Sequence, residues 1–302
     1  STAPIPTPAA AGEPTQTENG TVGVLVMAHG GTPEWNASVE ASVDALPEGT
    51  PVALAYGMAN PYTLRTAIES LENEGVDRVA VVRVFLSGQS FLQQTRFFLG
   101  MDPTPPEAFV LMGPAAADPS VRTAITHDLT VRTHPDGLMD APEATTILTE
   151  RVAELSVDPA TEGVLLLAHG MGDDSENEEV LDAMAPAARE LGRLGFGNVH
   201  VATLREDWEE ARREAEVSIR SWVTDQASND RRALVVPMRL SGFGPYAEVL
   251  GGLAYTPGEG LLPHPAVGEW IRRTANSVSC GAGWGAAFDR CPATVVPQPG
   301  VN

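Results

Sequence analysis

Short, continuous runs of apolar residues alternate along the chain with segments in which apolar residues recur every three or four positions. Residues 22–27 read VGVLVM, which is typical of a strand buried on both faces of a sheet. Residues 61–75 carry Leu64, Ile68 and Leu71 at helical spacing and end at a glycine, which predicts a helix. Strands that alternate with helices predict a parallel sheet covered by helices on both faces. The predicted strands are 22–27, 51–56, 79–86, 164–167, 199–204 and 233–240, and the predicted helices are 61–75, 180–194 and 209–223.

One unit of this pattern occurs twice. A buried strand is followed by the tripeptide Ala-His-Gly at residues 28–30 and again at 168–170, 140 residues later. Two apolar strands resemble each other by chance, but an identical tripeptide after both of them is much less expected. We therefore predict two tandem α/β domains, each a doubly wound parallel sheet, over residues 21–135 and 136–275.

Both ends of the chain depart from this pattern. Residues 1–20 are rich in Pro, Ala and Thr, which predicts a tail that is disordered or bound to a partner. Residues 276–302 hold both cysteines of the chain, Cys280 and Cys291, in a Gly-rich segment, which favours a local disulfide over a pair of reduced thiols. A disulfide and an N-terminal segment of this composition favour an extracytoplasmic protein, periplasmic or secreted, over a cytoplasmic one.

The chain is strongly acidic, with 40 acidic against 19 basic side chains and a formal net charge of −21. This charge repels nucleic acid and anionic lipid, so we expect neither as a partner, whereas it attracts cations, metal ions included. Solubility alone is the other interpretation of the charge. No apolar run reaches the roughly 18 residues that a membrane-spanning helix needs, so we do not expect the chain itself to be transmembrane. All 19 basic side chains are Arg, which excludes Schiff-base chemistry and a P-loop lysine.

Short motifs follow one another in a recognisable order. A buried strand ends in His-Gly, and then a Pro-led helix and a strand ending in Phe-Leu follow within AYGMANPYTLRTAIESLENEGVDRVAVVRVFL. Later stretches read LMGPAAADPSVRTAI in the first half and LLPHPAVGEWIRR in the second. This order resembles the class II metal chelatases of the sirohydrochlorin cobaltochelatase type, over roughly residues 21–275. The resemblance implies chelatase-like domains and an enzyme, a lyase, that inserts a divalent metal into a tetrapyrrole.

The resemblance also assigns site residues. The family's metal-binding histidine follows the first strand, and His29 and His169 stand in that place. Imidazole suits Co, Ni, Fe and Zn, and it can take up the pyrrole protons near neutral pH. The alternative is that each histidine caps the following helix or bonds to the backbone. Ligands of an open parallel sheet lie beyond the carboxyl ends of its strands, and the side chains there that could contact the tetrapyrrole or its carboxylates are Ser87, Gln89, Ser241, Tyr246, Arg83 and Arg239.

One feature of the family is missing from both halves. The family carries a second histidine shortly after Phe-Leu, but residues 85–91 read FLSGQSF and residues 239–246 read RLSGFGPY. The two-histidine metal site is therefore incomplete, and we expect metal insertion to be weak or absent. The competing hypothesis is a non-catalytic binding or scaffold subunit of a larger complex that engages the N-terminal tail. A nucleotide enzyme is disfavoured because no G-x-G-x-x-G motif follows the first strand.

Overall fold

The computed structural model describes residues 20–291, which form two four-stranded sheets in which every neighbouring pair of strands is parallel. The strands are β1 Val22–Ala28, β2 Val52–Tyr56, β3 Arg78–Val84, β4 Thr130–Thr133, β5 Glu162–Ala168, β6 Asn198–Thr203, β7 Arg232–Met238 and β8 Thr256–Pro257. Their order is β2-β1-β3-β4 in the first sheet and β6-β5-β7-β8 in the second. The predicted α/β class with two parallel sheets is confirmed.

Helices follow most of the strands. They are α1 Pro33–Asp44, α2 Pro61–Asn73, α3 Leu92–Phe98, α4 Pro114–Ala117, α5 Pro142–Leu155, α6 Asp174–Arg193, α7 Glu209–Ser228, α8 Tyr246–Val249 and α9 Pro265–Gly281, with short 3-10 turns at Pro119–Val121, Leu138–Asp140 and Pro159–Thr161.

Two helices show where apolar periodicity fails. The hydrophobic pattern places the start of one helix at residue 180, but α6 begins at Asp174 because the Asp173 side chain caps its first turn. That turn is acidic and carries no apolar residue to mark it. The pattern misses α1 altogether, since Val39 is its only buried apolar residue. Thr32 caps α1 and Pro33 opens it, so its start is encoded in polar residues.

The repeated tripeptide occupies the same place in both sheets. Ala28 ends β1 and pairs with Tyr56 and Val84, while Ala168 ends β5 and pairs with Thr203 and Met238. Both central strands are buried almost throughout, as their continuous apolar runs predict. Each histidine of the tripeptide therefore begins the loop at the carboxyl end of a central strand.

The two halves exchange their last helices. α9 packs against β1, β3 and β4 of the first sheet, although its sequence lies after the second sheet. α5, which follows the first sheet, packs against β7 and α6 of the second. One hydrophobic core therefore runs through both halves, from β1 through α5 and α9 to β5. The contact of α9 with α1 is close, because a side-chain carbon on Gly268 would lie 2.9 Å from the carbonyl oxygen of Ser42.

The predicted disulfide is present between Cys280 and Cys291. It closes a loop that folds back on α9, where the Phe288 amide donates to the Asn276 side chain. The Thr50 hydroxyl, between α1 and β2, donates to the carbonyl of Ala287 in the same loop. The loop thus packs on the first half of the molecule. The predicted N-terminal tail lies outside the described residues, apart from Gly20, and no helix of the described part has the length and apolarity to cross a membrane.

Candidate site at the carboxyl ends of the central strands

Both histidines bind the backbone through the same ring nitrogen. The Nδ1 atom of His29 lies 2.7 Å from the carbonyl oxygen of Gly30, and that of His169 lies 2.8 Å from the carbonyl oxygen of Gly170. A carbonyl oxygen only accepts, so Nδ1 carries a proton in both rings. Nε2 is the ring nitrogen that remains for a ligand. Metal-binding histidines commonly use this arrangement, in which one ring nitrogen is held by the backbone and the other faces the ion.

The loops that carry the histidines are built alike. Gly30 and Gly170 both adopt positive φ, at 78° and 83°, a conformation that favours glycine. One residue further on, the Gly31 amide donates to Asn36, and the Met171 amide donates to Asn177. These contacts turn each loop back towards the following helix.

Neither histidine caps a helix. The side chain of Thr32 accepts from the first turn of α1, and Asp173 accepts from the first turn of α6. The alternative of capping is therefore wrong, whereas that of bonding to the backbone holds for Nδ1 alone. A different histidine does cap: the His264 Nδ1 accepts the Ala266 amide at the start of α9.

The second half brings two carboxylates to its histidine. His169 Nε2 lies 3.2 Å from the Asp207 carboxylate and 3.9 Å from Oε2 of Glu206. Glu206 is largely shielded, with 12% of its side chain exposed, whereas Asp207 is 75% exposed. The guanidinium of Arg205 donates to the carbonyls of Met171 and Gly172 and so ties this loop to the one that carries His169.

The predicted residue Arg239 reaches the same cluster. Its Nη1 donates to Oε1 of Glu206, so the carboxylate that it binds belongs to the protein. The guanidinium carbon lies 5.7 Å from the centre of the Tyr246 ring. Tyr246 is fully buried; burial, and then the charge of Glu206, raises its pKa. Tyr246 therefore lies beneath the site, whereas we expected it to face the tetrapyrrole.

The first half has no such cluster. The ring of His29 lies edge-on to that of Trp35, at 6.3 Å between ring centres, and no ion pair joins His29 to a carboxylate within residues 20–291. The strand registers show why. Counted from the paired residues that end the strands, Ala59, Asn60 and Phe85 take the places of Glu206, Asp207 and Arg239.

Three other predicted site residues, Ser87, Gln89 and Ser241, are exposed or half-buried after the third strand of each half. Gln89 is exposed, and its backbone N–H donates to the Ser87 hydroxyl, so both remain at the edge of the sheet. Ser241 is half-buried at the corresponding place in the second half. None of these three side chains contacts a histidine ring through a hydrogen bond in the described part of the chain.

The prediction that Arg83 contacts the tetrapyrrole or its carboxylates is wrong. It is 3% exposed, and its guanidinium donates to the backbone carbonyls of Gly88, Ser90 and His134. Burial, and then the charge of Arg96, lowers the pKa of Arg83 to about 10. A buried side chain that holds two loops together is not available to a tetrapyrrole carboxylate. The side chain of Arg83 points from β3 into the protein, and the sequence did not reveal this orientation.

The donors around His169 form a partial ligand set. Among residues 20–291, no three His, Cys, Asp or Glu side chains are arranged to hold a metal ion. His169 with Asp207 supplies two donors, and Glu206 lies slightly further away. Sequence reasoning missed both acids, although they directly follow a predicted strand at its carboxyl end, and that position was the available signal.

Comparison with known proteins agrees with this architecture. The CbiX family model matches residues 23–94. No match was found among curated protein sequences. SirB from Bacillus subtilis, solved with Fe³⁺, has a TM-score of 0.60 at 13% identity, covering 89% of this chain and 100% of its own.

Two further structures have the same fold. The sirohydrochlorin chelatase SirB from Bacillus subtilis subspecies spizizenii, solved with cobalt, has a TM-score of 0.55 at 12% identity, covering 84% of this chain and 93% of its own. A multi-domain protein from Deinococcus radiodurans with structural similarity to chelatases has a TM-score of 0.54 at 20% identity, covering 85% of this chain and 55% of its own. The resemblance to the class II chelatases is confirmed: residues 23–94 match the CbiX family, and the described chain has the chelatase fold.

Proposed function

We propose that this chain is a chelatase-type protein that binds a divalent metal ion through His169 and a tetrapyrrole at the carboxyl ends of the strands, with metal insertion weak or absent. The observation that carries the proposal is the Nε2 atom of His169, which lies 3.2 Å from the Asp207 carboxylate while Nδ1 of the same ring is held by the backbone. Either a proton or a metal ion bound between the two groups satisfies an imidazole nitrogen and a carboxylate at this distance.

The partial ligand set suits a metal that is a substrate. A metal destined for a tetrapyrrole must leave the protein, so open coordination positions are an advantage. One imidazole with carboxylate oxygens is a borderline donor set that accepts Co, Ni, Fe or Zn. The fold relatives from Bacillus subtilis, solved with Fe³⁺ and with cobalt, support a metal of this class.

The case for weak insertion rests on the missing base. Where the family has its second histidine, this chain has Gln89, Ser90 and Phe91 in one half and Gly244 and Pro245 in the other. An amide or a hydroxyl does not accept a pyrrole proton near pH 7. Loss of a positioned base costs on the order of 10²–10⁴ in rate. The same absence favours the second candidate, a non-catalytic metal-binding or scaffold subunit.

A titration with Co²⁺ followed by an insertion assay tests the proposal. We expect about one Co²⁺ per chain, because within residues 20–291 His169 has carboxylate partners and His29 has none. We also expect a rate of cobalt insertion into sirohydrochlorin near the protein-free background. Absence of Co²⁺ binding would overturn the metal site. Robust turnover would refute the weak-activity part of the proposal and reject the scaffold alternative.

We also propose an extracytoplasmic location. The Cys280–Cys291 disulfide supports it, because disulfides persist in oxidising compartments and are rare in the cytosol. Protease added to spheroplasts of the native cells should digest the protein without lysis. Protection until lysis would place it in the cytoplasm.

A further inference from the structure

The carboxylate of Glu206 is held at one oxygen and turns the other towards His169. Oε1 accepts from Arg239 Nη1, while Oε2 faces His169 Nε2 at 3.9 Å. Only 12% of the Glu206 side chain and 27% of the Arg239 side chain are exposed, so water competes little for this ion pair. With Oε1 engaged, Oε2 is the oxygen left for a ligand beside the imidazole.

Arg239 is itself held by its surroundings. The ring of Tyr246 packs against its guanidinium at 5.7 Å, a cation–π contact with a ring that is fully buried and therefore fixed. The backbone of Gly244 also approaches so closely that a side-chain carbon there would lie 2.7 Å from Arg239 Nε. The guanidinium of Arg239 therefore occupies a space that a larger residue at position 244 would partly fill.

The fold does not require this arginine. Phe85 takes the equivalent place in the first half and packs against Phe91, with 5.2 Å between ring centres. The two sheets have the same strand order whether phenylalanine or arginine stands at this position. The first half has neither an acid at the place of Glu206 nor an arginine at the place of Arg239. The presence of Arg239 is therefore linked to the carboxylate that it binds.

We propose that Arg239 is a positioning residue that fixes the Glu206 carboxylate beside His169, so that an incoming metal ion meets one imidazole and one preset oxygen ligand. The inference rests on the proposed function, because it assigns the metal site to His169. Residues that orient a metal ligand from behind contribute about 10–100-fold in metal affinity. Coulomb's law alone predicts the opposite sign, since removal of a nearby positive charge strengthens the binding of a cation.

The test measures Co²⁺ affinity by calorimetry and the visible absorption spectrum of the bound ion. We expect Arg239→Gln to weaken affinity by about 10–100-fold and to alter the spectrum, and Arg239→Lys, which keeps a donor for Oε1, to restore part of the affinity. Arg213→Gln is the matched control, because Arg213 pairs with Glu209 on the exposed face of α7 and the charge change is the same. Equal or tighter binding by Arg239→Gln relative to this control would overturn the inference.

A second variant keeps the charge and moves the group. Gly244→Ala places a methyl group in the space that the Arg239 guanidinium occupies. We expect this variant to weaken Co²⁺ binding although Arg239 is still present. Affinity equal to wild type in a folded Gly244→Ala protein would contradict the inference. If the wild type binds no Co²⁺, the proposed function itself fails; if the wild type binds and all variants match it, only the role of Arg239 fails.

Discussion

The two halves of the chain each place one histidine after the central strand, on the same glycine turn, yet of these two only His169 has carboxylate partners within the described residues. His169 lies against Asp207 and Glu206, whereas His29 faces solvent beside Trp35. Three positions after the strand ends account for the difference, since Ala59, Asn60 and Phe85 replace two acids and an arginine. A repeat thus preserves the backbone and the histidine while the chemistry around the histidine changes.

The halves also differ in how they hold the loop after their third strand. Arg83 is buried on β3 and binds the carbonyls of that loop and of the linker at His134. Pro237 occupies the equivalent position on β7 and has no side-chain donor. The arginine on β3 therefore serves the fold, whereas Arg239, one residue after β7, pairs with Glu206 beside His169.

The largest expected effect separates the two histidines directly. His169→Ala should weaken Co²⁺ affinity by more than about 100-fold, since it removes a ligand and supporting residues alone contribute about 10–100-fold. His29→Ala should change affinity less than about threefold, because His29 has no carboxylate partner in the described part of the chain. Calorimetric titration of both variants measures the contrast. Equal losses would show that the halves share one site.

The next effect concerns the buried arginine of the first half. Arg83→Met should lower the free energy of unfolding by about 3–4 kcal/mol, because several buried carbonyls lose their donor at once. Urea denaturation followed by circular dichroism measures it. Arg193→Met on the exposed surface of α6, where the side chain is 72% exposed, is the control and should stay within about 0.5 kcal/mol of wild type. A similar small change for Arg83→Met would mean that the loop holds without it.

The disulfide loop that packs on the first half gives a somewhat smaller effect. Replacing both Cys280 and Cys291 by Ser should cost about 3 kcal/mol of stability, as the chain-entropy model gives for a loop of this length. Reducing the wild-type protein should produce the same shift in the urea midpoint, which separates the bond from the substitutions. An unchanged midpoint on reduction would assign the loop's packing to its other contacts.

The smallest effect is a pH dependence that comes from Glu162 in the second half. Burial raises the pKa of Glu162, but hydrogen bonds from Ser156 and Val157 and the charge of Arg232 outweigh burial, so the pKa lies below the ordinary value of 4.5. Its contribution to stability is therefore present above about pH 4.5 and lost as pH falls through the lowered pKa. Val22 takes the equivalent place in the first half.

Glu162→Gln should flatten the stability–pH curve below pH 4.5, and thermal unfolding between pH 3 and pH 7 checks this. The exposed Glu209, which pairs with Arg213 at the surface, supplies the control Glu209→Gln, whose curve should follow that of the wild type. A Glu162→Gln curve that falls as steeply as the wild-type curve would place the acid sensitivity in other groups.

Several features of the fold follow from the sequence alone. Continuous apolar runs predict the buried central strands, and the repeated tripeptide places His29 and His169 at equivalent strand ends, as the registers confirm. Isolation of the two cysteines in one short segment predicts their disulfide, which is present. These features are local, because each depends on residues that lie close together in the chain. Over such short segments the sequence shows the spacing of apolar residues and the residue types that favour turns.

Tertiary structure decided the rest. Glu206 and Arg239 come from loops after different strands, so only the packing of those strands brings them to His169. Periodicity reports that a residue is buried, but not which neighbour it meets, and it therefore did not separate the structural Arg83 from the site residue Arg239. The exchange of α5 and α9 is undetermined in sequence for the same reason, because an apolar helix face fits either sheet.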